Sequence, residues 1–467
     1  MKMWSGRFRE PLDPEFERWQ RSFGFDRLLL RYELAASGAH ARALKNAGVL
    51  SAEELIGILH GLDQIRQQAA ASDGFLRDDD AEDVHHFVEK RLADLVGELG
   101  YKLHSGRSRN EQIATDLRLY TRAVIDELQE QVADMCSAFV DRAEQGGDAA
   151  MPAYTHLQKA EPVLVAHWLL AYVEMFLRDA GRLADCRRRL NVCPLGSGAV
   201  AGATIALDRN FMAETLEFEA PTANSIDATS DRDFAIESVN ALSLLAMHLS
   251  RWAEEMILFS SHEYGFIGLP EAYSTGSSAM PQKKNPDLLE LIRGKSGRML
   301  GNATALLVTI KGLPLAYNKD LQETQQPLFE SCDAILQILP LVTGFMQAVE
   351  FHYQRMSEAA QSGFMNAWAA ATYLVNRGVP SRMAHERVGK AVQICIEQNC
   401  ELQDLPLDDL QSLSPAFGED FYESLKLASV LVIHDVPGGT APVRVRQAIT
   451  ATRKKIHSLR EEVHAHA

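Results

Sequence analysis

Residues 111–143 read EQIATDLRLYTRAVIDELQEQVADMCSAFVDRA, and apolar side chains recur in this stretch at every third or fourth position. That spacing is typical of one face of an α-helix. The stripe consists of Ile113, Leu117, Tyr120, Val124 and Leu128. The same period predicts long helices over residues 163–190, 233–262, 286–311 and 327–356. Helices of about 25 to 30 residues exceed the usual globular length, so we expect an all-α bundle whose helices bury one another's stripes.

A shorter helix is predicted after Ser51, which precedes Glu54 at the spacing of a capping box. Loops rich in Gly, Pro and Ser interrupt the helices at 100–110, 145–162, 193–204, 264–287, 312–327 and 435–442. We therefore expect three helical domains: an N-terminal domain over 1–108, a central long-helix bundle over 109–357, and a small C-terminal domain over 358–467. Because the bundle is regular, functional side chains are expected in the loops.

The composition of the 467 residues, 46% apolar and 24% charged, is that of a soluble globular protein. A formal charge of −16 repels polyanions and argues against nucleic acid as a partner. The six cysteines form no C-x-x-C pair, as expected for reduced thiols in the cytoplasm. We also expect neither a signal peptide nor a membrane span, and hence no membrane partner.

Several familiar chemistries do not fit the sequence. The loop PLGSGAVAG, 194–202, follows a charged helical segment where a dinucleotide-binding loop needs a buried strand. In the loop STGSSAMPQKKNPD, 274–287, the second Gly and the Lys of a phosphate-binding P-loop would fall on Pro281 and Gln282. There is no H-E-x-x-H motif, and the adjacent His85 and His86 point to different helix faces. A hydrolase elbow around Ser277 is missing as well. No metal or cofactor is therefore expected.

Two loops are candidates for binding anions. In KLHSGRSRNEQ, 102–112, basic side chains precede a helix start that Ser108 and Glu111 mark as a capping box. A carboxylate or phosphate would be stabilised there by free N–H groups, the helix dipole and the guanidinium groups. The alternative is that the cations pair with acidic neighbours such as Asp78 to Asp80. The cations are Lys102, His104, Arg107 and Arg109. In the second loop, Lys283 precedes Asn285 and Pro286, a predicted helix cap and first helical residue.

The remaining polar loop, MPAYTHLQKAEP at 151–162, carries Thr155 and His156 between two prolines. A histidine there is suited to proton transfer or to a purely structural hydrogen bond. Glu290 is either a surface carboxylate or the group that orients a histidine from another helix. Two anion sites, a serine and a histidine suggest elimination next to a carboxylate of a small polycarboxylate, which needs a base, cations and an acid. From the residues alone, His156 would be the base.

Ordered motifs along nearly the whole chain resemble the fumarase/aspartase superfamily, whose metal-independent lyases release fumarate, and within it the argininosuccinate lyase family. They are MWSGRF, SGRSRNEQIATDLRL, AYTHLQKAEPV, PLGSGAVAG, SDRDF, LPEAYSTGSSAMPQKKNPD, YNKDLQE and GGTAP. The resemblance implies an all-α homotetramer with long helices from four chains in its core and active sites built from three subunits. It also implies cleavage of argininosuccinate to arginine and fumarate, the last step of arginine synthesis, without a cofactor.

The resemblance implies roles for individual residues. Ser277 would take the proton from the succinyl carbon, reversing the choice of base made above, and His156 would lie on the acid side, held by Glu290. The succinyl carboxylates would be held by Thr155, Arg109, Asn110, Lys283 and Asn285, with Ser108 shaping that pocket. Further substrate contacts would come from Ser22, Asp26, Tyr317 and Gln322, several of them towards the arginine end.

One position departs from the family pattern. After YNKDLQE the relatives continue Asp-Lys-Glu, and the Lys binds substrate, whereas this chain has Thr324, Gln325 and Gln326. Gln325 can donate hydrogen bonds but supplies no charge. Glu161 and Ala203 also stand where Gln and Thr are expected. The alternatives are another fumarate-releasing lyase, such as adenylosuccinate lyase or aspartase, and a catalytically silent, crystallin-like structural protein.

Overall fold

The computed structural model describes residues 10–77 and 80–465, so the MWSGRF motif and two of the acidic neighbours, Asp78 and Asp79, lie outside the described residues. The described chain is predominantly helical, which confirms the all-α prediction. It forms two compact units, each assembled from three segments. Unit 1 comprises Met1–Glu127, Arg182–Ser243 and Arg298–Asp333, and unit 2 comprises Leu128–Gly181, Leu244–Gly297 and Ala334–Ala467. The division into three domains along the chain stays a prediction.

The longest helices are Arg109–Gly146, Val165–Leu190, Asp233–Ser260, Asp287–Ile310 and Gln325–Ala348. The first four agree with the predicted helices to within a few residues. The fifth ends at Ala348 rather than at residue 356, because Glu350–Phe351 form a short antiparallel strand pair with Ile267–Gly268. The chain then resumes as a separate helix, Tyr353–Ala359.

Shorter helices complete both units. In unit 1 they are Pro14–Trp19, Phe23–Asp26, Leu30–Asn46, Ala52–Ala71, Val84–Val96, Leu99–Lys102, Arg209–Thr215 and Ser225–Ser230, with 3-10 turns at Arg27–Leu29, Asp73–Leu76 and Lys319–Thr324. In unit 2 they are Ala367–Asn376, Ser381–Gln398, Leu407–Leu413, Phe421–Ser424, Leu427–Val432 and Pro442–His464, with 3-10 turns at Glu271–Tyr273 and Leu402–Asp404. The predicted capping box of Ser51 and Glu54 is confirmed at the start of Ala52–Ala71.

A β-hairpin occupies the stretch that the sequence presented as a polar loop. Strands Ala150–Thr155 and Gln158–Leu164 pair antiparallel, with Ala150 opposite Leu164 and Thr155 opposite Gln158. The two-residue turn between them consists of His156 and Leu157, both in the left-handed region at φ 56° and 57°. This is the arrangement of a type I′ hairpin turn, here built without glycine. Two-residue strands also pair at Val192–Cys193 with Ala220–Pro221, in parallel, and at Thr275–Gly276 with Lys284–Asn285.

Each unit has an apolar core. In unit 1, Leu29, Ile58, Ile65 and Phe87 are fully buried, and in unit 2 the same holds for Phe139, Phe176, Trp252, Phe417 and Phe421. Among the described residues one helical stretch, Lys319–Ala348, has the length and apolar composition of a membrane-crossing helix. Half of the most apolar 18-residue segment of this stretch is buried inside the protein, as in a core helix.

Candidate functional site

A polar pocket of about 130 Å³ in unit 1 gathers residues from four separate parts of the chain. Ser22 and Asp26 come from the turn Phe23–Asp26 and its cap, and Arg109 and Asn110 open the helix Arg109–Gly146. Predicted site residues that line the pocket are Ser22, Asp26, Arg109, Asn110, Tyr317, Gln322 and Gln325. The walls also contain residues that the sequence analysis did not assign: Glu82, Asp83, His85, Ile113 and Lys319.

Asp26 is almost fully buried at the pocket wall, with 1% of its surface exposed. The Ser22 hydroxyl donates to its Oδ2 at 2.6 Å, and the Val84 N–H donates to its Oδ1 at 3.1 Å. Burial raises the pKa of Asp26 to about 7, the Asp83 charge contributes, and these hydrogen bonds oppose the shift. Asp26 can therefore hold a proton near neutral pH.

Arg109 is anchored by two carboxylates. Its Nη1 lies 2.9 Å from Asp83 Oδ2 and 3.2 Å from Glu82 Oε2. Asp83 also caps the helix Val84–Val96 by accepting the His86 N–H at 2.7 Å. The acidic pairing considered for this loop thus occurs at Arg109, with Glu82 and Asp83 as the partners. Since a guanidinium has five N–H donors, the fixed group keeps donors for a ligand carboxylate.

The other basic side chains of 102–112 do not line the pocket. Lys102 pairs with Glu54, and Arg107 donates to the Ser37 hydroxyl at 2.9 Å. His104 is largely neutral near pH 7, because burial and the neighbouring Arg107 charge lower its pKa to about 4. Of the four basic residues in that loop, Arg109 alone contributes to the pocket walls.

Ser108 lies just before the helix that carries Arg109 and Asn110, as the capping-box spacing predicts. Its N–H donates to Glu111 Oε1 at 3.1 Å, and its Oγ accepts the Asn110 N–H at 3.2 Å. In the ideal box the hydroxyl would accept from the third helical residue rather than the second. Asn110 donates from Nδ2 to the Ala199 carbonyl at 3.3 Å, so the loop 193–204 helps to orient it.

Tyr317, Gln322 and Gln325 reach the pocket from the 3-10 segment Lys319–Thr324 and its flanks. Burial raises the pKa of the Tyr317 phenol, which therefore stays protonated. Gln322 donates to the Gln20 carbonyl at 3.1 Å. Gln325 is 4% exposed, and its Oε1 has no hydrogen-bond partner among the described residues. An unpaired buried amide oxygen at a pocket wall indicates a place for a ligand donor.

In unit 2, Thr155 and His156 lie exposed at the tip of the hairpin. Within the described part of the chain, no hydrogen bond or ion pair fixes the imidazole of His156. The left-handed backbone at His156 and Leu157 costs about 1 to 3 kcal/mol per residue. Leu157 is 68% exposed, so burial of its side chain does not offset that strain. Such strain at an exposed turn points to a functional requirement for the projected residues.

The loop 274–287 is a second projecting hairpin of unit 2. Thr275 pairs with Asn285 and Gly276 with Lys284, so residues 277–283 extend beyond the two-residue ladder. Ser277 lies at the beginning of this tip, and its Oγ accepts the N–H of Ala279 at 3.3 Å and that of Met280 at 3.2 Å. Lys283 is exposed at the other side of the tip. Two N–H groups aimed at one hydroxyl oxygen stabilise negative charge on it.

The predicted cap at Asn285 is wrong by one residue. Asn285 belongs to the strand pair, and the helix begins at Asp287 with the Pro286 carbonyl accepting the Glu290 N–H at 3.1 Å. Asn285 instead pairs with Thr275, and its side-chain amide donates to the Thr275 hydroxyl at 3.5 Å. Glu290 is exposed in the first turn of that helix, and the described residues include no ion pair or hydrogen bond between Glu290 and His156.

A buried polar cluster beside the pocket in unit 1 was not anticipated. His85 Nδ1 lies 2.8 Å from Glu33 Oε2 and 3.8 Å from Asp116 Oδ2, and all three side chains are buried. Glu33 also accepts from Ser37 at 2.6 Å and from Gln112 at 3.1 Å. One nitrogen or oxygen atom from each of Glu33, His85 and Asp116 lies within 4.8 Å of the other two, which is close enough for all three to coordinate one metal ion.

The two carboxyl groups of this cluster differ in their protonation. Burial and the adjacent Glu33 charge raise the pKa of Asp116 well above its usual range. For Glu33 burial acts in the same sense, but the His85 charge and hydrogen bond hold its pKa at about 2. Both Asp116 oxygens lack a donor, so one proton placed between Asp116 and Glu33 satisfies the pair. The signal in the sequence was polar Glu33 and Ser37, four residues apart on one buried helix face.

Comparisons with known proteins identify relatives over the whole chain. Residues 6–301 match a family model described as Lyase, and residues 364–432 match one described as Argininosuccinate lyase C-terminal. The argininosuccinate lyase of Koribacter versatilis is 60% identical over 467 residues, covering 100% of both chains. That of Pelotomaculum thermopropionicum is 48% identical, covering 97% of this chain and 99% of its own.

Solved structures share the fold. An EDDS lyase variant with bound fumarate has a TM-score of 0.84 at 26% identity, covering 98% of this chain and 93% of its own. A class II fumarase from Schistosoma mansoni has a TM-score of 0.74 at 16% identity, covering 86% and 90%, and at that identity it supports the fold alone.

Proposed function

The chain belongs to the argininosuccinate lyase family of the fumarase/aspartase superfamily, and from this membership and the site geometry we propose how it works. It is a carbon–nitrogen lyase that eliminates arginine from argininosuccinate and releases fumarate. We assign it to the last step of arginine biosynthesis, in the cytoplasm. Every step proposed below uses side chains and backbone groups of the chain itself.

Ser277 is the proposed base, and the two N–H groups at its oxygen are the observation that carries this mechanism. A serine hydroxyl is too weakly acidic to act as a base unless its alkoxide is stabilised. The N–H groups of Ala279 and Met280 supply part of this stabilisation, and Lys283, at the far side of the same tip, adds positive charge. The oxygen removes a proton from the succinyl carbon, and the electrons delocalise into the adjacent carboxylate as an aci-carboxylate.

His156 is proposed to act on the opposite side of the substrate. As the carbon–nitrogen bond breaks, the departing guanidino nitrogen receives a proton delivered from the side of His156. A strained turn that projects the imidazole into solvent suits a residue that must reach a substrate held elsewhere. Glu290 would orient the imidazole as a hydrogen-bond acceptor in the assembled enzyme.

Cations and N–H donors would hold the succinyl carboxylates. Arg109, anchored by Asp83 and Glu82, and Asn110 stand at the positive end of a long helix, where anions are stabilised. Ser108 shapes this end through its hydrogen bonds with Glu111 and Asn110. The loops of unit 2 would contribute Thr155, Lys283 and Asn285.

The rest of the unit 1 pocket would hold the arginine part of the substrate. The polar groups of that part would find hydrogen-bond acceptors and donors in the Asp26 carboxyl, the Tyr317 phenol and the amides of Gln322 and Gln325. Gln325 is neutral where relatives carry lysine, so this chain would bind the same substrate with one positive charge fewer.

We further propose a homotetramer whose active sites combine residues from three subunits. The helix Asp287–Ile310 supports this proposal because it exposes large apolar side chains: Leu291, Leu300, Leu307 and Val308 are each at least 50% exposed. Between them Gly294, Gly297 and Gly301 leave open space, so another helix could approach closely. Light scattering should give the mass of four chains, and Leu300→Lys should shift it towards smaller species.

Turnover of argininosuccinate tests the proposed function. The purified chain is incubated with argininosuccinate, and fumarate is followed by its ultraviolet absorbance while arginine is quantified in parallel. Equal amounts of both products are expected. Release of fumarate from adenylosuccinate or aspartate, with none from argininosuccinate, would assign the chain to another lyase of the superfamily. A folded tetramer without any turnover would indicate a silent structural protein.

A further inference from the structure

The helix Ser381–Gln398 in unit 2 ends in a Schellman motif that brings two cysteines together. Asn399 adopts the left-handed conformation, at φ 50° and ψ 51°. The Cys400 N–H donates to the Cys395 carbonyl at 3.0 Å, and the Asn399 N–H donates to the Ile396 carbonyl at 3.4 Å. This motif usually places two apolar side chains in contact at the positions that Cys395 and Cys400 occupy here.

The two thiols differ in their access to solvent. Cys395 is fully buried in the core that includes Leu402 and Phe417, and Cys400 packs against that core while remaining partly exposed. The chain's other four cysteines are buried as well, so Cys400 is the thiol that a reagent in solution reaches first.

We propose that Cys395 and Cys400 form a reversible intramolecular disulfide by exchange with low-molecular-weight disulfides such as oxidised glutathione. A disulfide requires Cα atoms about 4.4 to 6.8 Å apart. The direct hydrogen bond between the two backbones keeps these residues at short range, so closure needs little movement beyond rotation of the side chains.

The exchange balances in two steps. The Cys400 thiolate attacks one sulfur of the glutathione disulfide, which forms a mixed disulfide and releases one glutathione thiolate. The Cys395 thiolate then attacks the Cys400 sulfur and releases the second glutathione. Two protein thiols thus lose two electrons and two protons, and one glutathione disulfide becomes two thiols.

Formation of the mixed disulfide at Cys400 makes the later attack by Cys395 easier. Burial and the neighbouring Cys400 raise the pKa of Cys395 to about 12. Once Cys400 is in the mixed disulfide, its share of this shift disappears, and Cys395 ionises more readily. Glu401 and Asp404 keep the site electronegative, so we expect the exchange to be slow.

The disulfide would fix a structural link between the small C-terminal core and the His156 hairpin. Glu401, next to Cys400, accepts the N–H of Gly363 at 2.9 Å and that of Phe364 at 3.3 Å. Lys159 holds the neighbouring segment by donating to the Ala359 carbonyl at 2.8 Å and to Ser362 at 3.0 Å. Lys159 stands opposite Tyr154 in the hairpin. A disulfide at Cys400 should therefore restrain Glu401 and slow hydrogen exchange at the two amides that donate to it, those of Gly363 and Phe364.

Mass spectrometry of the full-length protein tests the proposal. The chain is incubated with excess oxidised glutathione, remaining thiols are alkylated, and the protein is digested at glutamate. Glu397 separates the two cysteines, so a disulfide joins two peptides that reduction releases. The expected product has lost two hydrogens, keeps four alkylated cysteines and carries this cross-link. Its Gly363 and Phe364 amides should exchange several-fold more slowly than in the reduced protein.

Two variants and one control make the result decisive. Cys395→Ala should stop at a single glutathione adduct on Cys400, and Cys400→Ser should form neither the adduct nor the cross-link. Cys186→Ala, which changes a buried cysteine elsewhere, should behave as the parent protein does. A parent protein that resists oxidation, that stops at the mixed disulfide, or that cross-links any other pair would overturn the proposal. Unchanged exchange at Gly363 and Phe364 in the cross-linked protein would refute the link through Glu401.

Discussion

The hydroxyl oxygen of Ser277 accepts the backbone N–H of Met280 at 3.2 Å, three residues further along the projecting loop. The Ala279 N–H makes a second such contact at 3.3 Å. Both donors belong to the same loop tip as the hydroxyl, so the contacts do not depend on substrate. The environment that a serine base requires is therefore partly preformed in a single chain.

Removing this hydroxyl should abolish proton abstraction. We expect Ser277→Ala to lower kcat by about 10² to 10⁴-fold, the usual contribution of general acid–base catalysis, with little change in KM or in thermal unfolding. Steady-state assays of fumarate release give these values. The matched control is Ser278→Ala, because the neighbouring hydroxyl accepts neither N–H. A Ser277→Ala enzyme that keeps most of its rate would disprove the assignment of the base.

The hairpin turn should carry measurable strain at Leu157. Glycine adopts the left-handed conformation without a steric penalty, so Leu157→Gly should raise the free energy of unfolding by about 1 kcal/mol. Leu157→Val should lower it, because a β-branched residue is strained there. Urea unfolding at a fixed protein concentration measures both changes. The control is Leu157→Ala, which removes the side chain but keeps the strained backbone. If Gly gives no gain over Ala, the turn is not strained.

The long helices could be predicted because their stripes persist over many turns, and Ser51 with Glu54 marks a boundary by local chemistry alone. The hairpin formed by Ala150–Thr155 and Gln158–Leu164 could not be predicted from the sequence. Ala150–Thr155 begins with three buried residues rather than an alternation, and a His-Leu turn carries none of the residues that signal a type I′ turn. Asn285 was misassigned by one residue because the helix begins at Asp287, and local sequence signals fix a helix boundary only to within one or two residues.

The site could be predicted only in part, for a related reason. Resemblance identified Asp26 and Arg109, but the pKa of Asp26 depends on burial and on Asp83, which approaches from another segment of unit 1. The Glu33–Asp116 pair likewise joins two helices that no motif connects. Charge states of buried groups follow from three-dimensional neighbours, and sequence spacing does not reveal them.

Asp26 should make stability depend on pH. Its carboxyl keeps a proton to about pH 7 in the folded chain because burial raises its pKa, whereas an exposed aspartic acid loses its proton at about pH 4. Between these values the folded state binds more protons than the unfolded state, so the free energy of unfolding falls as pH rises. Asp26→Asn removes this titration, and its stability relative to the parent should grow across that window. We expect a difference on the order of 4 kcal/mol at the upper end, since a tenfold change in proton affinity corresponds to about 1.4 kcal/mol.

Urea unfolding at several pH values between 4 and 8 measures this difference. Asp63→Asn is the control, since Asp63 is a half-exposed carboxylate on the helix Ala52–Ala71 and the Arg66 hydrogen bond lowers its pKa, away from that window. Curves of Asp26→Asn and the parent that stay parallel over the whole range would contradict the raised pKa of Asp26.

Replacing Gln325 should change protein stability and substrate binding in opposite directions. Its buried Oε1 lacks a partner, and leaving such a group unsatisfied costs about 1 to 3 kcal/mol. Gln325→Met keeps the length of the side chain and removes the polar group, so the variant should be more stable by about 1 kcal/mol. It should also lose a hydrogen bond to substrate, and kcat/KM should fall roughly tenfold, mainly through KM. The same change at exposed Gln326 should alter neither quantity. If Gln325→Met gains stability with an unchanged KM, Gln325 makes no contact with the substrate.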